Sequence, residues 1–180
     1  MSLDKANDLK TKGEKLYYQH DYEAAARTFQ EARDLYDTAG DEEKVAEMKV
    51  NTGLTHRALG ESQQALEIMQ DALRTFQKLD KPLQVARVMG NLGGVYSALN
   101  DKEQAYETYR EAADIFLAEG ENELYSETLL ALGGLQMRDG KVFMAAATYQ
   151  IGLEGIKNPT GRQKLLMRLT GIIAGLQGRI

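Results

Sequence analysis

The chain contains no cysteine among its 180 residues. That excludes a disulfide framework and a thiolate metal site, and it fits a reducing, cytoplasmic compartment. Proline is nearly absent, at Pro82 and Pro159 alone. Long helices are therefore allowed, because a proline ring breaks a helix interior. Histidine occurs twice, as His20 and His56. Without Cys and without a His pair, a transition-metal centre has no ligands to build on. No apolar run reaches the roughly 18 residues a membrane span requires. The polar residues 1–13 carry no signal-peptide core.

The formal net charge is −5, but it is uneven. Residues 161–180 hold Arg162, Lys164, Arg168 and Arg179 and no acid, so the rest of the chain carries −9. An acidic body argues against nucleic-acid binding, which needs cations facing phosphates. The basic tail leaves contact with an acidic surface open.

What is present is a repeat, which should be sought before anything else. Gly13, Gly53, Gly93 and Gly133 are each 40 residues apart. Ala25, Ala65, Ala105 and Ala145 follow each glycine by 12 residues, and Phe29, Met69, Tyr109 and Tyr149 come four later. Small residues then occupy Ala32, Ala72, Ala112 and Gly152, and large ones Tyr36, Phe76, Phe116 and Ile156. Steps of 4, 3 and 4 mark one face of a helix. The glycine admits a first helix (A) to close range of a second (B), and B alternates large and small so that neighbours interdigitate.

Turns are expected between A and B at His20, Gly60, Asn100 and Gly140, because Gly and Asn tolerate the left-handed conformation that ends a helix. B is expected to end near Gly40, Asp80, Gly120 and Asn158-Pro159. Asp41 and Asp80 are suited to cap the next helix, and Pro82 to its first turn. The resulting helices span about 5–19, 22–39, 42–59, 62–79, 82–99, 102–118, 122–139, 142–157 and 161–178. The expectation is one all-α domain over residues 1–180, with repeats at about 6–40, 41–80, 81–120 and 121–160 and a final lone helix.

These columns resemble the tetratricopeptide repeat. The pattern is clearest in repeat three, at Leu92-Gly93, Tyr96, Ala105, Tyr109 and Ala112, and repeat four keeps Leu132-Gly133, Ala145 and Tyr149. Repeats one and two have Lys12 and Thr52 before the glycine. The family unit is about 34 residues, so this one is longer, like the repeats of kinesin light chains, spindle-polarity adaptors and bacterial peptide-sensing regulators. The resemblance implies a right-handed α-solenoid that binds a protein or peptide in a concave groove lined by the A helices.

By that resemblance the groove side chains include Lys10, Glu14, Glu47, Asn51, Leu54, Arg57, Arg87, Gly90, Asn91, Gly94, Gly134 and Arg138. Asn51 and Asn91 lie one repeat apart, where the family uses Asn to hold a ligand's main chain. An amide both donates and accepts, which suits the backbone of an extended peptide. Gly90, Gly94 and Gly134 bare the backbone at about 1 kcal/mol each relative to Ala. Close approach of a ligand and tight helix packing both account for them. Lys10, Asn51 and Arg87 match the clamp some relatives use for chaperone C-termini, but Glu14 and Asn91 do not, which argues against that ligand. Arg57, Arg87 and Arg138 would favour an acidic peptide.

The last helix reads as a cap for the repeat array or as a self-association face for a homodimer, with a membrane-surface helix the least favoured reading. The second reading rests on Leu166, Leu169, Ile172, Ile173 and Leu176, with Ile173 at the glycine register. No nucleophile–base pair can be proposed, and the Gly-Gly pairs fall mid-helix rather than in a phosphate loop. His56 shares a column with Leu16 and Tyr96 and reads as a packing residue. The function expected is a binding adaptor without enzymatic activity, cofactor or metal, bound to neither nucleic acid nor membrane.

Overall fold

A computed structural model describes residues 2–156 and 160–177. Those residues are helical throughout, apart from their turns. The helices are α1 (Ser2–Tyr18), α2 (Tyr22–Thr38), α3 (Glu42–Ala58), α4 (Ser62–Lys78), α5 (Pro82–Ala98), α6 (Lys102–Ala118), α7 (Asn122–Arg138), α8 (Val142–Glu154) and α9 (Gly161–Gln177). The chain divides into two compact units, residues 1–101 with α1–α5 and residues 102–180 with α6–α9. Within each unit, helices consecutive in sequence pack together, and in the first α3 also touches α5.

The turns recur every 20 residues, twice as often as the glycine columns. Residues 20, 40, 60, 80, 100, 120 and 140 all take positive φ, between 53° and 82°. Around each, two backbone bonds close the helix end. At the first, His20 N–H donates to Tyr17 C=O at 3.0 Å and Asp21 N–H to Leu16 C=O at 3.0 Å. That pairing satisfies carbonyls the helix leaves orphaned. The residue after the positive φ is also the start of the next helix: Ala25 N–H donates back to Asp21 C=O and Val45 N–H to Asp41 C=O. A 17-residue helix and a three-residue link therefore make one 20-residue half-unit.

His20 adopts φ 64°, and its Nδ1 lies 2.7 Å from the Tyr22 hydroxyl. Asp41 caps α3 as expected, its Oδ1 accepting from Lys44 N–H at 3.0 Å. Asp80 does not cap α5. It takes the left-handed position at φ 53°, and Lys81 holds the N-cap place without a side-chain capping bond. The strict 20-residue spacing decides this, because it places the aspartate one residue too early. Pro82 occupies the first turn of α5. Helix α8 stops at Glu154, short of 157. Gly152 in its last turn and Gly155 at its C-cap raise the entropic cost of continuing the helix. The expected Asn158-Pro159 turn lies outside the described residues. A reciprocal cap then opens α9: Thr160 N–H donates to Gln163 Oε1 at 2.7 Å, and Gln163 N–H to Thr160 Oγ1 at 3.3 Å.

The repeat columns form the cores. In the first unit one cluster joins Ala6, Ala25, Phe29, Ala32, Tyr36 and Met48. Another joins Ala65, Met69, Ala72 and Phe76 to Val88, Leu92 and Val95. In the second, Ala105, Ala112, Phe116, Leu132 and Ala145 are buried. The glycine columns pack as the pattern requires. A Cβ on Gly13 would lie 2.6 Å from the Phe29 ring, one on Gly53 2.6 Å from Met69, and one on Gly133 2.9 Å from Tyr149. Polar ties add register within the first unit, such as Tyr36 OH to Asn7 Oδ1 at 2.7 Å and Lys49 Nζ to Asp71 at 2.5 Å.

Candidate functional site

The A helices of the first unit are α1, α3 and α5; α1 and α3 each bury one face against their B partners, α2 and α4, and α5 packs against α4. On α3 the buried positions are Ala46, Met48, Thr52, Gly53 and Thr55. Asn51, Leu54 and Arg57 fall beside that face and stay half-buried. On α5 the buried positions include Val88, Met89, Leu92 and Gly93, leaving Gly90, Asn91 and Gly94 half-buried and Arg87 exposed.

Both asparagine amides lack a side-chain hydrogen-bond partner among the described residues. Half-burial without a partner forfeits part of the water's hydrogen bonding without replacing it. The two are equivalent in register, on helices that touch. The guanidinium groups of Arg57 and Arg87 likewise have no ion-pair partner among the described residues.

Other groove candidates are engaged. Lys10 Nζ binds Glu47 Oε2 at 3.3 Å, and Lys44 binds the same carboxylate at 2.9 Å. The Glu47 bond, first among the causes, raises the Lys44 pKa above its ordinary value. The charge of Lys10 is thus largely spent within the fold. Leu54 packs against the core cluster of the first unit.

The glycines separate into two kinds. A Cβ at Gly90 would meet nothing within 4 Å. Helix packing therefore does not account for this glycine, and the bare backbone faces open space. In the second unit, Gly134 is different: its Cβ would sit 3.5 Å from the Tyr149 hydroxyl and 3.9 Å from the Arg138 guanidinium. Arg138 is exposed and lies against that same helix pair.

On α9, Thr170 is buried and Leu166 half-buried, while Leu165, Leu169 and Ile172 are 58%, 48% and 62% exposed. The side chains of Ile173 and Leu176 lie outside the described residues. His56 is half-buried with Nδ1 2.6 Å from Glu61 Oε2. Among the described residues no group of three His, Cys, Asp or Glu side chains is placed to hold a metal ion. No described helix is long and apolar enough to cross a membrane.

Solved structures share this fold. Aspartyl phosphate phosphatase F from Bacillus subtilis superposes with a TM-score of 0.80 at 15% identity, over 86% of this chain and 41% of that one. A Rap protein complexed with Competence and Sporulation Factor gives 0.80 at 19%, over 86% and 43%. BtubC (BKLC) from P. vanneervenii gives 0.66 at 24%, over 92% and 64%. The chain thus spans less than two thirds of the length of each. At such identities the likeness is one of fold, a tetratricopeptide-like helical repeat. No curated protein matches the chain by sequence. The sequence profile described as "Soluble NSF attachment protein, SNAP" covers residues 2–162. The chain belongs to the soluble NSF attachment protein (SNAP) family.

Proposed function

We propose that the chain is a protein-binding scaffold that holds an extended or helical segment of a partner on the A helices of its first unit. The observation that carries this is the pair of half-buried, unpartnered amides at Asn51 and Asn91, one repeat apart on touching helices. Each can donate to and accept from a ligand backbone. Gly90, with open space where a side chain would stand, lets that backbone come close. Arg57 and Arg87 favour an acidic segment. The reading agrees with a family named for attachment to NSF and with a Rap protein of like fold complexed with Competence and Sporulation Factor. The 40-residue unit further likens the chain to the long-repeat adaptors and peptide sensors.

The test is affinity capture from the source organism's lysate, then titration of the captured partner against variants. Asn51→Ala/Asn91→Ala should weaken binding about tenfold or more, from the loss of two or more hydrogen bonds at about 0.5–1.5 kcal/mol each. Gly90→Ala should stabilise the free protein by up to about 1 kcal/mol yet also weaken binding, because the methyl enters the ligand's space. Unchanged affinity in the double variant sinks this reading.

The exposed Leu165, Leu169 and Ile172 on α9 favour a second reading, self-association through that helix. Light scattering of the full chain against a chain ending at Ile156 decides it. A concentration-dependent dimer lost on truncation is expected, and a monomer in both cases refutes it.

A further inference from the structure

A shallow cleft of about 400 Å³ in the second unit is lined by Lys102, Glu103, Tyr106 and Arg110 of α6 and by Asp139 and Lys141 of the turn before α8. Its floor is a closed network. The Tyr106 hydroxyl donates to Asp139 Oδ2 at 2.9 Å, and Lys102 Nζ pairs with Asp139 Oδ1 at 2.7 Å. Burial, and then the bond to Asp139, pushes the Tyr106 phenol up to about 12. Lys102, and then Tyr106, holds the Asp139 carboxyl below its ordinary value. Near neutral pH the floor is therefore a neutral phenol beside an ionised carboxylate already matched by Lys102.

Two cations remain. Lys141 Nζ lies 4.1 Å from the centroid of the Tyr106 ring, and the Arg110 guanidinium 5.9 Å from it. Neither has an ion-pair partner among the described residues. The ring's negative face attracts both but neutralises neither. Glu103 on the rim is the remaining acid.

The repeat itself supplies a control. At the register of Arg110 the other repeats carry Gln30, Gln70 and Gln150. At that of Lys141 they carry Asp21, Glu61 and Asp101. An acid suits that place, because helix N-termini favour negative charge. Lys141 reverses the preference and leaves α8 without a side-chain cap. At the register of Tyr106 the others carry Ala26, Leu66 and Ala146, and at that of Asp139 they carry Gln19, Leu59 and Leu99. Four columns break together at one place, two of them toward positive charge, within a chain that is acidic overall. None of these residues lies in the groove register, so the family resemblance does not lead to them.

We propose that this cleft binds a carboxylate side chain of an acidic, apolar-flanked peptide segment, held between Arg110 and Lys141 above Tyr106. Charge complementarity selects the acid. The residues following Lys141, namely Val142, Phe143 and Met144, are apolar and 39%, 47% and 47% exposed, and offer a surface for the apolar flank. The site shares no residue with the Asn51 and Asn91 face, and the proposal does not rest on that face.

The test uses the full chain, isotopically labelled, titrated with a short peptide of alternating Glu and Phe and with its Gln counterpart. Signals of Lys102, Tyr106, Arg110 and Lys141 should shift with the acidic peptide and not with the neutral one. Arg110→Gln/Lys141→Asp restores the residue types of the other repeats, so it folds. It should weaken the acidic peptide about tenfold or more, through loss of two charge-assisted contacts. Shifts confined to other residues, equal shifts with the Gln peptide, or unaltered affinity in the double variant would each overturn the proposal.

Discussion

Phe29→Ala is expected to lower the stability of the first unit by about 3–5 kcal/mol, the range for deleting a buried aromatic ring. Phe29 is 2% exposed, and its ring lies 2.6 Å from where a Cβ on Gly13 would be. The residue across the interface is a glycine with no side chain to move into the hole, and Ala25 and Ala32 of the same cluster are small and fully buried, so the hole closes poorly from those sides. Urea denaturation followed by circular dichroism measures it as a lower midpoint at unchanged slope. A loss under about 1 kcal/mol would show that the ring is not a keystone of the repeat.

Gly13→Val should cost about 1–3 kcal/mol through overpacking. The position lies in a helix interior, where replacing Gly ordinarily gains up to about 1 kcal/mol. Here the clash outweighs propensity, because the side-chain atoms would enter a rigid ring already within 2.6 Å of the Cβ. Gly53 has the same register but faces Met69, whose thioether chain adapts more readily. The double variant Gly13→Val/Phe29→Ala gives the decisive comparison. The valine partly fills the space the ring leaves, so the combined loss should fall short of the sum by about 0.5–3 kcal/mol. Strict additivity would mean that the two residues do not share one contact.

Much of the molecule was legible because the repeat makes its constraints redundant. The turns at His20, Gly60, Asn100 and Gly140 adopt positive φ, although His is a poor residue for it, because three other copies set the frame. Ala25, Ala65, Phe29 and Met69 are buried where the columns put them. Legibility failed where one copy departs from the others. Asp80 has the chemistry of a cap but sits one residue too early to serve. The early end of α8 falls at two glycines that the fourth repeat carries, Gly152 in the last turn and Gly155 at the C-cap.

The family resemblance named Lys10, Asn51, Arg87 and Asn91 as groove residues, and it said nothing of which of them are engaged within the fold. Lys10 proves to be engaged by Glu47, whereas both amides and Arg87 lack partners. Whether a side chain is spent depends on which neighbour, some 37 residues away in sequence, comes within hydrogen-bond reach, and no local pattern records that.

The sequence by itself determined the helices, their 40-residue unit and the large-and-small face that buries them, because those follow from short-range backbone preferences and the 3.6-residue helical period. Only the tertiary structure decided which glycines are packed and which are bare, with Gly13 and Gly53 filled by a neighbour and Gly90 open. It alone assembled Tyr106, Asp139, Arg110 and Lys141 into one cleft. The physical reason is that packing and charge pairing are properties of what lies opposite a residue, and what lies opposite is set by how one helix docks on the next.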